Sequence, residues 1–300
     1  VPAAVRSSSL AAVRRHLLVW YEADHRELPF RRSREPWPVL VAEVMLQQTQ
    51  ASRIAERFDA FLARYPCPQV MAATPAAQVL ADWSGFGYNR RGLNLHAAAT
   101  RIAADGWPRT VQGLEQLPGI GPYSARAIAS IAFDQPVGAV DTNVRRWLVR
   151  RFGISADDRH ALQDAADRLA AVGNEVPGEA GTWTHATMEF GARICSARAP
   201  HCAVCPIARG CPSRQAPPRV PVPRATRSTA GQRAARGVLL RALVGAPGHR
   251  LSEARARSAL SGRGGKEPVP AYESVRDGLE RDGLVHRTGR SLRLGPSPWS

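Results

Sequence analysis

Leu117-Pro118-Gly119-Ile120-Gly121-Pro122-Tyr123-Ser124-Ala125 is the stretch on which the fold of this chain turns. Glycines at 119 and 121 let the backbone turn sharply, and Pro122 suits the first position of the apolar helical run that follows. Such a turn exposes amides and a helix N-terminus, a ready seat for phosphate. The stretch therefore reads as a helix–hairpin–helix that grips a nucleic-acid backbone without reading bases, with Gly119 and Gly121 as its DNA-binding positions. An ordinary turn between helices is the competing reading. Downstream, Asp141-Thr142-Asn143-Val144-Arg145 sets an aspartate before another helix, where capping is the usual duty of that residue.

Further on come Cys195, Cys202, Cys205 and Cys211, spaced C-x6-C-x2-C-x5-C. Thiolates are soft ligands, and four within seventeen residues can close a shell around iron or zinc. Structural zinc sites usually pair two short knuckles, whereas only Cys202 and Cys205 form one here. The asymmetric loops favour a larger object, a 4Fe-4S cluster, with zinc as the alternative. Two disulfides would require an oxidising compartment. Cys67 stands alone and reads as a small buried hydrophobe.

Three hundred residues allow one large or two modest domains. No stretch approaches the roughly 20 apolar residues of a membrane span. The apolar stretch near the N-terminus is broken by Arg14, Arg15 and His16, so no signal peptide is expected. A cytoplasmic, nucleoid-associated protein without a membrane partner is expected. The net charge of +16 and isoelectric point near 11.1 favour a polyanionic partner. Lys266 is the only lysine among 41 Lys and Arg residues.

From about residue 8 to 211 the texture is helical, with Leu10, Val13, Leu17 and Trp20 at helical spacing and a second run at Val39 to Met45. Pro212, Pro217, Pro218, Pro221 and Pro223 mark a Pro/Arg-rich linker over 213–235. Helical patterns follow at Arg236–Val244, Glu253–Leu260 and Tyr272–Asp282. Then Leu284–Leu294 carries a Thr288-Gly289-Arg290-Ser291 turn, so 236–300 reads as a winged-helix-like domain.

The order hairpin, aspartate, cysteines resembles a DNA glycosylase superfamily typified by endonuclease III. Within it, Glu43-Val44-Met45-Leu46-Gln47-Gln48-Thr49-Gln50 is similar to the adenine glycosylases of MutY type, as are Gly85-Phe86-Gly87-Tyr88, Leu93-Asn94-Leu95-His96 and the Gly191-to-Cys195 approach. The resemblance covers roughly 8–212 and implies an all-α fold. Residues 31–136 would form a six-helix barrel containing the hairpin, and 1–30 with 137–212 an iron–sulfur helical lobe. The implied partner is double-stranded DNA containing a mispair, bound by a monomer.

Glu43 is the one charge inside the apolar run Trp37 to Leu46, and burial raises a carboxyl pKa toward that of a working proton donor. The resemblance implies that Glu43 protonates the adenine ring and that Asp141 stabilises, or attacks, the sugar cation left behind. Asn143 would hold the flipped nucleotide and order the aspartate, and Tyr123 would hydrogen-bond the carboxylates. A lysine-dependent lyase would have its amine where Tyr123 stands, and arginine cannot replace it. Gln48 and Tyr88 would intrude into the base stack. Arg31, beside Phe30 where the family usually has tryptophan, and His185, where it usually has glutamine or glutamate, complete the base-binding set. Arg90, Arg91, Arg198 and His201 are candidate phosphate contacts, as are tail residues Arg255, Arg257, Arg276, Arg281, Arg287 and Arg290. Nothing after residue 212 has the length or Phe-Ser-His-type loop of the usual Nudix-like domain.

The expected function is excision of adenine opposite 8-oxoguanine or guanine in base excision repair. A thymine or uracil glycosylase acting on mispairs with guanine is the rival enzyme, and an iron–sulfur winged-helix regulator the rival without catalysis.

Overall fold

Runs of alanine, leucine and arginine favour helix, and the computed structural model, which describes residues 7–173, 176–221, 230–261 and 270–297, consists mainly of helices. The first are α1 (Ser7–Ala23), α2 (Pro36–Leu46), α3 (Ala51–Ala55) and α4 (Phe58–Arg64). Next come α5 (Pro68–Ala73), α6 (Ala76–Asp82), α7 (Arg90–Asp105), α8 (Val111–Glu115) and α9 (Pro122–Phe133). Then follow α10 (Thr142–Phe152), α11 (Arg159–Ala171) and α12 (Glu179–Arg193). The C-terminal part holds α13 (Ala230–Val244), α14 (Glu253–Ser261) and α15 (Tyr272–Arg281), with β1 (Arg250–Ser252), β2 (Val285–Thr288) and β3 (Ser291–Leu294). No helix among the described residues is long and apolar enough to cross a membrane.

Local chemistry sets these boundaries. Proline opens α2, α5 and α9, where its missing N–H costs nothing. Thr110, Asp141 and Asp158 cap α8, α10 and α11 by accepting from backbone amides. Gly153, in the left-handed conformation, ends α10.

Packing divides the chain into two units, residues 1–62 with 107–223 and residues 63–106 with 224–300. The core of the first gathers Leu10, Val13 and Leu17 of α1, Trp147 and Leu148 of α10, Leu169 of α11 and Phe190 of α12. Phe190 packs nearly perpendicular to Trp20 and to Trp147, each ring centre 5.9 Å away. Buried Arg14 donates to the carbonyls of Leu169 and Ala170, satisfying the last turn of α11. α10 and α12 approach closely at Gly191, where a Cβ would lie 2.7 Å from the Asn143 carbonyl oxygen. The start of the expected linker is tied down, because Arg145 donates to the Pro221 carbonyl at 2.7 Å and Arg150 to that of Pro218 at 3.1 Å. The helix beyond it begins at Ala230, so the linker ends before the 235 read from composition.

In the second unit, Leu239 and Leu243 of α13, Leu260 of α14, Val275 and Leu279 of α15, and Val285, Leu292 and Leu294 of the strands share one core. Leu80 of α6 belongs to it and Leu93 of α7 packs against it. The expected hairpin is β2–β3, and β1 adds a third strand on the other side of β3, all antiparallel. Three residues give β1 too little length for a period-2 pattern, so the sequence did not announce it.

Candidate active site

The hairpin joins α8 to α9 as the sequence predicts. Gly119 has φ +78°, a conformation that glycine adopts without penalty. Gly121 has an ordinary φ of −94° and open space where a Cβ would project. Neither amide has an acceptor among the described residues, which leaves both N–H groups for a ligand. The Gln47 side-chain amide donates to the Gly119 carbonyl at 3.1 Å and ties the end of α2 to the hairpin.

Glu43, on the α2 face that packs toward α9, is buried at 7% exposure. Burial, and then the nearby Asp141 carboxylate, push its pKa up to about 8, while a hydrogen bond with Tyr123 works the other way. The Tyr123 hydroxyl is raised well above its usual range, first by burial and then by the charges of Glu43 and Asp141, so it remains a neutral donor. It also lies 3.6 Å from the Met188 sulfur. Asp141 accepts from the Val144 amide at 2.6 Å and from the Asn143 side chain at 2.8 Å. Burial raises its pKa, and those hydrogen bonds oppose the rise. One of two adjacent carboxyls thus holds its proton while the other is supplied with donors, a division of acid and anion suited to splitting a glycosidic bond.

The support runs deeper. The Asn143 side-chain oxygen accepts from Arg146 at 2.9 Å, and Arg146 also donates to the carbonyls of Gly191 at 2.6 Å and Cys195 at 2.8 Å. A buried guanidinium therefore links the aspartate's partner to the first cysteine.

Glu189 is the group that sequence reasoning missed. It is fully buried, accepts from Arg26 at 2.6 and 2.7 Å, and pairs with Arg31 at 3.0 Å. Burial alone would raise its pKa, but the Arg26 hydrogen bond and the Arg31 charge hold it down to about 2. Arg31 is thereby fixed with one side-chain nitrogen, Nη1, buried and unpartnered. His185 Nε2 is likewise shielded without a partner. Burial, then the charges of Arg31 and Arg34, push the imidazole down to about 3, so His185 is neutral at physiological pH.

Gln48 and Tyr88 are both exposed and both hold left-handed backbones, φ +56° and +47°. Such strain in residues other than glycine is typical of functional positions. Arg91 departs from its expected role, being buried, stacked 5.3 Å from the Tyr88 ring centre and donating to the carbonyls of Phe86 and Gly87. Arg90 lies 3.7 Å from Asp282, whereas Arg198 and His201 are exposed.

Cys195, Cys202, Cys205 and Cys211 are free thiols lining one cavity with Trp147 and Phe190. Arg150 donates to the Cys195 sulfur at 3.5 Å, and the Cys211 thiol donates to the Arg150 carbonyl at 3.5 Å. Burial pushes the Cys205 thiol up to about 11. Among the described residues, no three His, Cys, Asp or Glu side chains converge as ligands of a single metal ion. Cys67 is half-buried before α5, more open than its expected place in the core.

The sequence model of the HhH-GPD superfamily of base excision DNA repair proteins matches residues 41–171, a span that includes Glu43, the hairpin and Asp141. An adenine DNA glycosylase of Mycobacterium tuberculosis is 40% identical over 237 residues, 75% of this chain and 76% of that one. The Homo sapiens adenine DNA glycosylase is 36% identical over 69% of this chain but only 40% of its own length. Among solved structures, a thermostable thymine-DNA glycosylase aligns over 70% of this chain and 98% of its own, with a TM-score of 0.63 and 27% identity. An endonuclease III–DNA complex shares the fold, with a TM-score of 0.58 at 23% identity over 70% of this chain and 97% of its own. The chain therefore belongs to the adenine DNA glycosylases of the helix–hairpin–helix superfamily.

Proposed function

We propose that this protein hydrolyses the N-glycosidic bond of adenine mispaired with 8-oxoguanine or guanine in duplex DNA. The observation that carries the reading is the buried Glu43, protonated up to about pH 8, set with Tyr123 beside Asp141. Glu43 delivers its proton to the extruded adenine, which turns a poor leaving group into a neutral one. Asp141, oriented by Asn143 and the Val144 amide, meets the positive charge that develops on the sugar. Tyr123 keeps its hydroxyl on the Glu43 carboxyl and supplies no amine, so the product is an intact strand with an abasic site. The free amides of Gly119 and Gly121 hold a phosphate, while Gln48 and Tyr88 fill the space left in the stack. His185 and Arg31, each with an unpartnered nitrogen, present hydrogen-bonding groups to the base.

The four cysteines suit a 4Fe-4S cluster. They are free, line a single cavity and do not close on one ion, and Arg146, Arg150 and Arg151 lie near enough to offset the negative charge of thiolates. When bound, the cluster ties the 195–211 loops together; neither Glu43 nor Asp141 is among its ligands.

Single-turnover excision on a panel of duplexes, each carrying one mispair, tests the reading. Adenine should be released opposite 8-oxoguanine and guanine, and Glu43→Gln should slow release by orders of magnitude with little change in mispair affinity. Near-normal excision by that variant would make Glu43 structural. Release of thymine or uracil opposite guanine instead would establish the rival enzyme, for which the neutral His185 leaves room.

A further inference from the structure

The last helix of a helix–turn–helix unit ordinarily enters the DNA groove, but α15 carries Glu273, Asp277 and Glu280 against Arg276 and the exposed Arg281. Arg276 is only 13% exposed, 2.7 Å from Asp277, 3.5 Å from Glu253 and 4.0 Å from Glu280. Arg257 pairs with Glu273 at 2.5 Å and Arg287 with Glu280 at 3.0 Å. Three of the tail arginines expected to hold phosphates are thus engaged by carboxylates within the domain.

The sheet is different. Leu292 and Leu294 of β3 face the core, so Arg293 between them faces out. The register sets Arg250 of β1 on one side of Arg293 and His286 of β2 on the other. Both arginines are exposed, and neither guanidinium has a hydrogen bond or ion pair among the described residues. The His286 Nδ1 contacts the Gly295 carbonyl at 2.9 Å, leaving Nε2 for another partner. On the same face, two residues further along the register, the exposed Ser252 and Thr288 flank the buried Ser291. Ser252 accepts from the Arg255 amide, so its O–H is still available to donate.

Like charges directly opposite each other weaken a sheet. Charges on edge strands can serve to prevent aggregation, but Arg293 lies on the central strand, where that purpose does not apply. The row runs across two strand spacings, roughly 10 Å, long enough to follow a polyanion rather than hold one ion. We propose that the phosphodiester backbone of duplex DNA lies across this outer sheet face, with Arg250 and Arg293 as its contacts, and that α15 enters no groove. The choice of DNA rests on the glycosylase reading above.

The test uses the full chain and a short matched duplex, with affinity measured across a potassium chloride series. Arg250→Gln/Arg293→Gln should weaken binding at low salt and flatten the log–log salt slope by about 2, near 0.9 per phosphate lost. Its thermal midpoint should hold or rise, because a repulsion has been removed. Arg281→Gln on α15 should leave the slope unchanged. An unchanged slope in the double variant, or a larger change in Arg281→Gln, would overturn the proposal. A drop in midpoint with the slope intact would also overturn it, by making the row structural. Adenine release by the unaltered chain scores the enzymatic reading separately, so either reading can fail while the other stands.

Discussion

At Glu43, the proposed proton donor, the demands of catalysis run against the stability of the fold that holds it. Its native pKa of about 8 exceeds the ordinary 4.5, so between those values the folded carboxyl keeps a proton that the unfolded chain gives up. The unfolded state then binds fewer protons, and stability falls as pH rises through that window. Glu43→Gln should therefore be more thermostable than the parent at pH 8, by an amount on the order of a few kcal/mol, and should gain little near pH 4. Thermal melts of both proteins across pH check this, and a variant less stable at pH 8 would contradict it. Excision by the parent should decline as pH rises past about 8, where Glu43 loses its proton. Glu43 was legible because it is alone in an apolar run. Glu189 obeys the same rule but was missed: Arg193 four residues on makes it look like half of a surface pair, and its main partners, Arg26 and Arg31, lie far away in sequence.

The two hairpin glycines should separate folding from binding. Gly119→Ala forces a side chain into φ +78° and should cost about 1–2 kcal/mol of stability. Gly121→Ala meets no protein atom and should melt normally, yet on the proposed phosphate seat its methyl group would stand between backbone and phosphate, so it should bind duplex more weakly. Equal losses of stability in the two variants would argue for an ordinary turn. Gly191→Ala pushes a Cβ against the Asn143 backbone, which cannot swing aside, so α10 must shift and excision should fall along with stability. The hairpin, the capping aspartate and the C-terminal helices were readable because each has a local signal. β1 was not, since its existence depends on β3 some forty residues later in the chain.

For the molecule as a whole, the strongest statement in the sequence is the absence of lysine before Lys266, which itself lies outside the described residues. Borohydride should trap little or no enzyme on DNA, and strand breaks should appear only after alkali. Efficient trapping that vanished in Lys266→Arg would identify the tail as the source of the amine. Cys202→Ser should lower iron and sulfide content and impair folding or DNA binding, without a selective effect on the chemical step. Stoichiometric zinc without sulfide in anaerobically purified protein would overturn the cluster. The sharing of one core by Leu80 and the C-terminal strands was not legible, because an apolar residue on a short helix carries no mark of which distant segment will cover it.

Arg146 joins Asn143, Gly191 and Cys195 through three hydrogen bonds, and this bears on how a damaged copy would fail. Adenine is a normal base, so a copy that gripped DNA without discriminating would be a mutagen. Oxidation or misassembly that freed the cysteine segment would take away the Cys195 acceptor of Arg146, while Asp141 would keep its own hydrogen bonds from Asn143 and the Val144 amide. On the cluster reading, such a copy would lose its hold on DNA, and with it access to any adenine, and so fall silent rather than indiscriminate.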